Sequence, residues 1–325
     1  MIATYPEQLE LETIEEPEAD ETLQPLATKL AQGIGSQLVP ISFEVLGARN
    51  DSPRHNQYAH ASRVLFNNMY PDFISIGDVP NLSDDEPGLC FETAAEHGDI
   101  LKIVPVVTIV DNDKESSDEQ LDASVTMNRY RGWGIEKVLV QPHQIDHAGE
   151  TMWMQNTAEL IPQIRAAGPF DTVGVVVNPE RTARTARIGE DYDRIAGELS
   201  VADFGITKFI LNTAPYIDLV RAMRKRQVTT PILPGIKPFR QYHEIKTASQ
   251  TSNVSLGDEL MHIMPPSPSR SDMMRQSDDL MSYFIGMGFD LVKHIGAPGL
   301  HIYTDNNVRI AQRLAQGVEE AVDSL

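Results

Sequence analysis

Eight short apolar runs recur along the chain, at residues 38–47, 72–79, 100–110, 137–142, 171–178, 204–212, 229–237 and 299–306. Each is a near-continuous string of β-branched and aliphatic residues instead of an apolar–polar alternation. That pattern is what a parallel sheet buried on both faces requires. Segments of helical periodicity lie between the runs, among them Asp118 to Tyr130, Asn156 to Ala167, Tyr216 to Arg226 and Asp272 to Gly286. After the last run, Ile310, Leu314, Val318 and Val322 fall four apart on one face, predicting an amphipathic closing helix with Asp305 or Asn306 as its cap.

Eight strands alternating with helices predict an α/β fold, a single (β/α)8 barrel of the TIM type over residues 36–325. An open doubly wound sheet is disfavoured, because no Gly-rich phosphate turn follows the first run. The Gly33-Ile34-Gly35 stretch precedes it. Residues 1–35 read as an N-terminal extension, partly disordered. Eight acids and no base fall between Glu7 and Glu21, around Pro17, which marks a solvated acidic tail.

With 41% hydrophobic and 23% charged residues among 325, the chain has ample material for a core. A formal net charge of −20 argues against nucleic acid and anionic membranes as partners, since both need basic patches. No apolar run is long enough to span a bilayer, and Met1 is not followed by a basic leader, so a cytoplasmic location is expected. The lone Cys90 excludes an intramolecular disulfide and reads as a small buried hydrophobe.

In such a barrel the chemistry sits at the C-terminal strand ends. Glu44 stands mid-run between Phe43 and Val45, where a carboxylate is partly desolvated and pushed toward general-acid use, or else paired with a lysine such as Lys208. Lys208, among the apolar neighbours of the sixth run, suits a Schiff base, an anion contact or a partner for Glu44. His301, Tyr303 and Asp305 alternate with Leu300, Ile302 and Thr304, so one set must face the barrel interior. The stretch after the fourth run carries His143, Asp146, His147 and Glu150, which are metal-ligand types, but a loop this polar reads as exposed and no metal is assigned. Six methionines between Met261 and Met287 read as core or subunit contact.

Taken in order, "ISFEVLG", "PDFISIG", "VGVVVNPE", "FGITKFILN", "PILPGIKP" and "GLHIYTDN" resemble the methylenetetrahydrofolate reductase family across roughly residues 38–320. The resemblance implies a flavoprotein oxidoreductase of one-carbon metabolism. It would use FAD, with NADH or NADPH as reductant, on a folate-like one-carbon carrier. Glu44 matches the family's general acid, which protonates N10 as the methylene bridge opens to an iminium before hydride arrives from reduced flavin. The matching cofactor positions are Gly77, Thr108, Gln141, His143, Gln144, Asn178 and Asp191, the last as an acidic ribose contact. Lys208, His262 and Tyr303 are the substrate-binding positions. Homo-oligomerisation, as in bacterial members, is also implied.

The chain departs from the family pattern at the flavin cradle. Leu-Arg-Gly-Asp after the fourth strand is replaced by Gln141, Pro142, His143 and Gln144. A threonine gives way to Gly77, a histidine to Val106, a tyrosine to Asn178, a second histidine to Thr182 and a glutamine to Lys208. Two alternatives to the reductase therefore stay open: a flavin-free one-carbon or pterin-binding barrel, acting as a transfer enzyme or regulatory binder, and a Schiff-base lyase using Lys208.

Overall fold

The computed structural model of the chain describes residues 39–46, 61, 64–65, 69, 71–77, 103–109, 130–132, 134–142, 144–147, 150–153, 157–167, 170–180, 188–263 and 270–324. The acidic extension, Cys90, His143, Thr182 and nearly all of the segment from Asp118 to Tyr130 lie outside the described residues.

Eight parallel strands close into a barrel: β1 (Ile41–Leu46), β2 (Ile74–Gly77), β3 (Ile103–Ile109), β4 (Lys137–Pro142), β7 (Thr172–Val177), β8 (Phe204–Ile210), β9 (Ile232–Ile236) and β10 (Leu300–Tyr303). Their order around the barrel is β1-β10-β9-β8-β7-β4-β3-β2, so the first strand meets the last. This is the (β/α)8 architecture that the periodicity predicts. The register at the closing seam pairs Ser42 with His301 and Glu44 with Tyr303.

Strand alternation divides the barrel's side chains into two sets. Ile74, Val138, Val140, Val173, Val175, Ile232, Ile236, Leu300 and Ile302 face outward into the layer shared with the helices. Phe73, Val104, Val106, Leu139, Val176, Phe204, Ile206 and Leu233 form a separate cluster inside. Because both sets are apolar, the strands read as continuous runs in the sequence. The closing helix Val308–Asp323 buries Val308, Ala311, Leu314, Ala315, Val318 and Val322. Each larger aliphatic chain among them is worth about 1.5–3 kcal/mol of transfer free energy.

Two local expectations are corrected. The closing helix takes Asn307 as its N-cap, without a side-chain cap bond, in place of Asp305 or Asn306. Those two residues have φ of 45° and 60°, a left-handed conformation that makes a turn and cannot serve as the extended N-cap. The polar stretch after β4 is an antiparallel hairpin, β5 (Gln144–His147) with β6 (Glu150–Trp153), and no simple loop. Asp146 pairs with Thr151 and His147 with Glu150 across it. Among the described residues, no group of three or more His, Cys, Asp or Glu is placed to hold a metal ion.

Candidate functional site at the barrel mouth

The interior of the barrel changes character where β10 meets β1 and β2. Ser42, Ser75 and His301 are buried there to 2%, 0% and 1% exposure. The Ser42 hydroxyl donates to the Leu300 carbonyl at 3.2 Å, so it accepts from the His301 Nδ1–H at 2.8 Å. The other ring nitrogen, Nε2, accepts from the Ser75 hydroxyl at 3.3 Å. Phe73 stacks on the imidazole with ring centroids 6.0 Å apart. Complete burial holds the His301 pKa down at about 3, so the imidazole is neutral and this layer is a satisfied, uncharged floor.

One layer above, toward the C-terminal rim, stand Glu44 and Tyr303. Tyr303 lies over the neighbouring strand β9: its hydroxyl donates to the Thr207 carbonyl of β8 at 2.8 Å. That carbonyl is reachable because β8 carries a register shift between Ile206 and Phe209 against β9, an irregularity that takes backbone groups out of the ladder. The ring passes over Gly235, where an added Cβ would lie 2.5 Å from Tyr303 Cε2 and 2.4 Å from the Thr207 oxygen. Gly235 therefore makes the crossing possible. Burial raises the Tyr303 pKa well above the usual phenol value, and the negative charge of Glu44 adds to the effect.

Glu44 is half-buried. Its carboxylate rests against the bare Cα of Gly77 on β2, with Oε2 3.0 Å and Cδ 3.1 Å from where a Cβ would stand. Thus Glu44, Gly77 and Tyr303, separated by as many as 259 positions in the sequence, share one corner of the mouth. The Glu44 backbone carbonyl also accepts from Thr304 Oγ1 at 2.7 Å. Asn306 exchanges two bonds of 2.9 Å with the backbone of Leu46. Most polar residues of the last strand's ending therefore seal the barrel seam.

The remaining candidates spread around the rim. Thr108 and Gln141 are register partners on β3 and β4, two residues beyond Val106 and Leu139 of the interior cluster. Asn178, after β7, turns its Oδ1 onto the Glu180 N–H at 3.1 Å. Glu180 in turn accepts from the Ser255 N–H and hydroxyl at 3.1 and 2.9 Å. Asn212, after β8, donates to the Ser255 carbonyl at 3.0 Å. These bonds pin the segment before the short helix Asp258–Ile263 onto the rim.

Lys208 is half-buried within the irregular part of β8. Lys237, after β9, pairs with Asp305 at 2.5 Å and sits 5.5 and 5.4 Å from the ring centroids of Phe209 and Phe239. Asp191 lies in the first turn of the helix Ile188–Val201. Gln144 lies in β5 of the hairpin. His262 is exposed on the short helix Asp258–Ile263, its Nδ1–H donating to the Asp258 carbonyl at 2.7 Å. Sequence reasoning missed Ser42, Ser75, Thr207 and Gly235. The signal available was a small polar residue recurring inside otherwise apolar runs.

The fold and this corner define a (β/α)8 barrel whose mouth is built around a carboxylate. Comparison with known proteins makes the assignment specific. The chain belongs to the methylenetetrahydrofolate reductase family, whose pattern matches residues 4–318. It is 27% identical over 110 residues to a probable methylenetetrahydrofolate reductase (NADPH) of Caenorhabditis elegans, a stretch covering 32% of this chain and 16% of that protein. It is 28% identical over 108 residues to methylenetetrahydrofolate reductase (NADH) 1 of Zea mays, covering 32% and 17%. These matches span about one sixth of the relatives' length. Among solved structures, an uncharacterized protein from Clostridium thermocellum that binds two copies of 5-methyl-5,6,7,8-tetrahydrofolic acid superimposes with a TM-score of 0.52. The identity is 12%, over 91% of this chain and 99% of that one.

Proposed function

We propose that this chain binds a reduced-folate one-carbon carrier in the mouth of its barrel and that Glu44 acts on it as a general acid. The observation that carries the reading is the placement of Glu44. Its carboxylate is inside the mouth, beside Gly77 and Tyr303, above a neutral floor that offers no competing proton donor of ordinary acidity. Membership in the family and likeness to a folate-binding barrel support the ligand class. In a methylenetetrahydrofolate, Glu44 gives its proton to N10. The N10–CH2 bond breaks with its electron pair going to N10, and the one-carbon unit stays on N5 as an electrophilic iminium. Partial burial of the acid keeps bulk water from competing for that proton.

FAD, with NADH or NADPH behind it, is the family's hydride source. The described residues do not fit a flavin cradle. Gly77 offers no side-chain donor, and the Glu44 carboxylate occupies its open side. Asn178 has its Oδ1 folded into its own turn. Val106 is packed into the apolar interior cluster. These observations favour the second reading, a flavin-free barrel that keeps the pterin pocket and works as a one-carbon transfer enzyme or regulatory binder.

The deciding experiment is calorimetric titration of the purified protein with 5-methyltetrahydrofolate, alongside its visible spectrum before and after adding FAD and desalting. Folate binding without retained flavin bands supports the folate reading in its flavin-free form. Folate binding with retained bands supports the reductase. Absence of folate binding overturns both.

A further inference from the structure

We infer that Gly77 is a positioning residue for Glu44: its missing side chain is the seat of the carboxylate and sets where the acid's proton is presented. The inference rests on the reading of Glu44 as the acid, and it gives Gly77 a task other than contacting a cofactor. Three boundaries confine the Glu44 side chain. Below it, the Ser42–His301–Ser75 layer is filled and fully hydrogen-bonded. To one side, the Tyr303 ring is fixed by its bond to the Thr207 carbonyl. To the other side is β2, where Glu44 pairs in register with Ser75 and Leu46 with Gly77. On that side the carboxylate has moved in until Oε2 is 3.0 Å and Cδ 3.1 Å from the position of a Gly77 Cβ.

A side chain at position 77 would therefore meet the Glu44 carboxylate before anything else. The atoms that would have to yield are the far end of a flexible side chain, so the fold survives and the carboxylate moves. With the floor and the Tyr303 side closed, the route left is outward into the mouth. Catalytic geometry is sensitive to displacements of about 1 Å. A methyl group at residue 77 therefore acts on function through Glu44, with little effect on stability.

The test is a double-mutant cycle with Gly77→Ala and Glu44→Asp in the full chain. Aspartate is one methylene shorter and withdraws from the crowded contact. Two readouts are taken on all four proteins: affinity for 5-methyltetrahydrofolate, and thermal unfolding of the ligand-free protein. A crystal structure of the Gly77→Ala variant locates the carboxylate. We expect Gly77→Ala to weaken folate binding about tenfold when Glu44 is present and by no more than about twofold when Glu44→Asp is already in place, since only neighbours in contact couple. The unfolding curves should nearly superimpose, and the carboxylate should be displaced outward.

Equal losses in both backgrounds, or a carboxylate that stays in place, overturn the inference while the folate reading stands. If no variant binds folate, the function proposed above falls with its ligand. The crystal structure then still decides the seat: a displaced carboxylate upholds it, and an undisplaced one refutes it.

Discussion

The hydroxyl of Tyr303 reaches over β9 to the carbonyl of Thr207 on β8, 96 positions earlier in the chain, and the 2.8 Å bond uses a backbone group that the register shift in β8 releases. Strand irregularity and tyrosine therefore form one device, with Gly235 leaving the space between them. On the proposed reading, a folate entering the mouth would meet the ring of Tyr303, because the hydroxyl is already committed to Thr207.

Replacement of Tyr303 by phenylalanine should accordingly act on stability. It leaves a buried carbonyl without its donor, at a cost of about 1–3 kcal/mol. Urea denaturation of the two proteins measures the difference. Folate affinity should change by less than about threefold, because the ring is retained.

Glu44→Gln keeps the shape of the side chain and removes the titratable proton. On the proposed reading of Glu44 as the general acid, turnover of a methylenetetrahydrofolate should fall by about a hundredfold or more, the usual weight of such a group. Affinity for 5-methyltetrahydrofolate should hold within a few fold. Unchanged steady-state rates would take Glu44 out of the chemistry.

His301 makes stability depend on pH in a definite direction. Its folded pKa, about 3, lies below the ordinary value of 6.5. Between those values the unfolded chain binds a proton that the folded one does not, so stability is full above about pH 6.5 and declines as pH falls toward 3. The slope from this one group approaches about 1.4 kcal/mol per pH unit. His301→Gln should flatten the decline between about pH 6.5 and pH 5, above the range where ordinary carboxylates titrate. Denaturation midpoints at several pH values in that window give the answer.

Asn306 couples a left-handed backbone, φ 60°, to two side-chain bonds on Leu46. Asn306→Gly keeps the backbone at ease and loses only the bonds. Asn306→Ala loses the bonds and adds about 1–2 kcal/mol of steric strain. The alanine variant should thus be the less stable of the two in a denaturant titration. The reverse order would show that the conformation at 306 is not under constraint.

Much of this was legible beforehand. The runs at 38–47 and 299–306 announced β1 and β10 because parallel strands covered on both faces have no polar side to hide them. Glu44 stood out for the same reason. Ser42 and Ser75 did not, since a serine in an apolar run looks like tolerated noise until its partner is known. That partner, His301, comes from the other end of the sequence, and only the β1–β10 register brings them together. Asp305 and Asn306 read as helix caps because they precede a helical pattern, but their left-handed φ commits them to a turn. The hairpin of Gln144–His147 and Glu150–Trp153 hid inside a polar stretch because a two-stranded ribbon needs no buried apolar face. Gly77 could be read only as a missing side chain, and its use depends on a carboxylate from the neighbouring strand.

The seam between the first and last strands also has a bearing on how the molecule is made. Glu44 and Leu46 leave the ribosome before Thr304 and Asn306, which fix the end of their strand from 260 positions further along. Contacts so distant in sequence form late and slowly. During synthesis β1 must wait with one edge unpaired, and the corner that holds the acid comes into being only when β10 arrives to complete it.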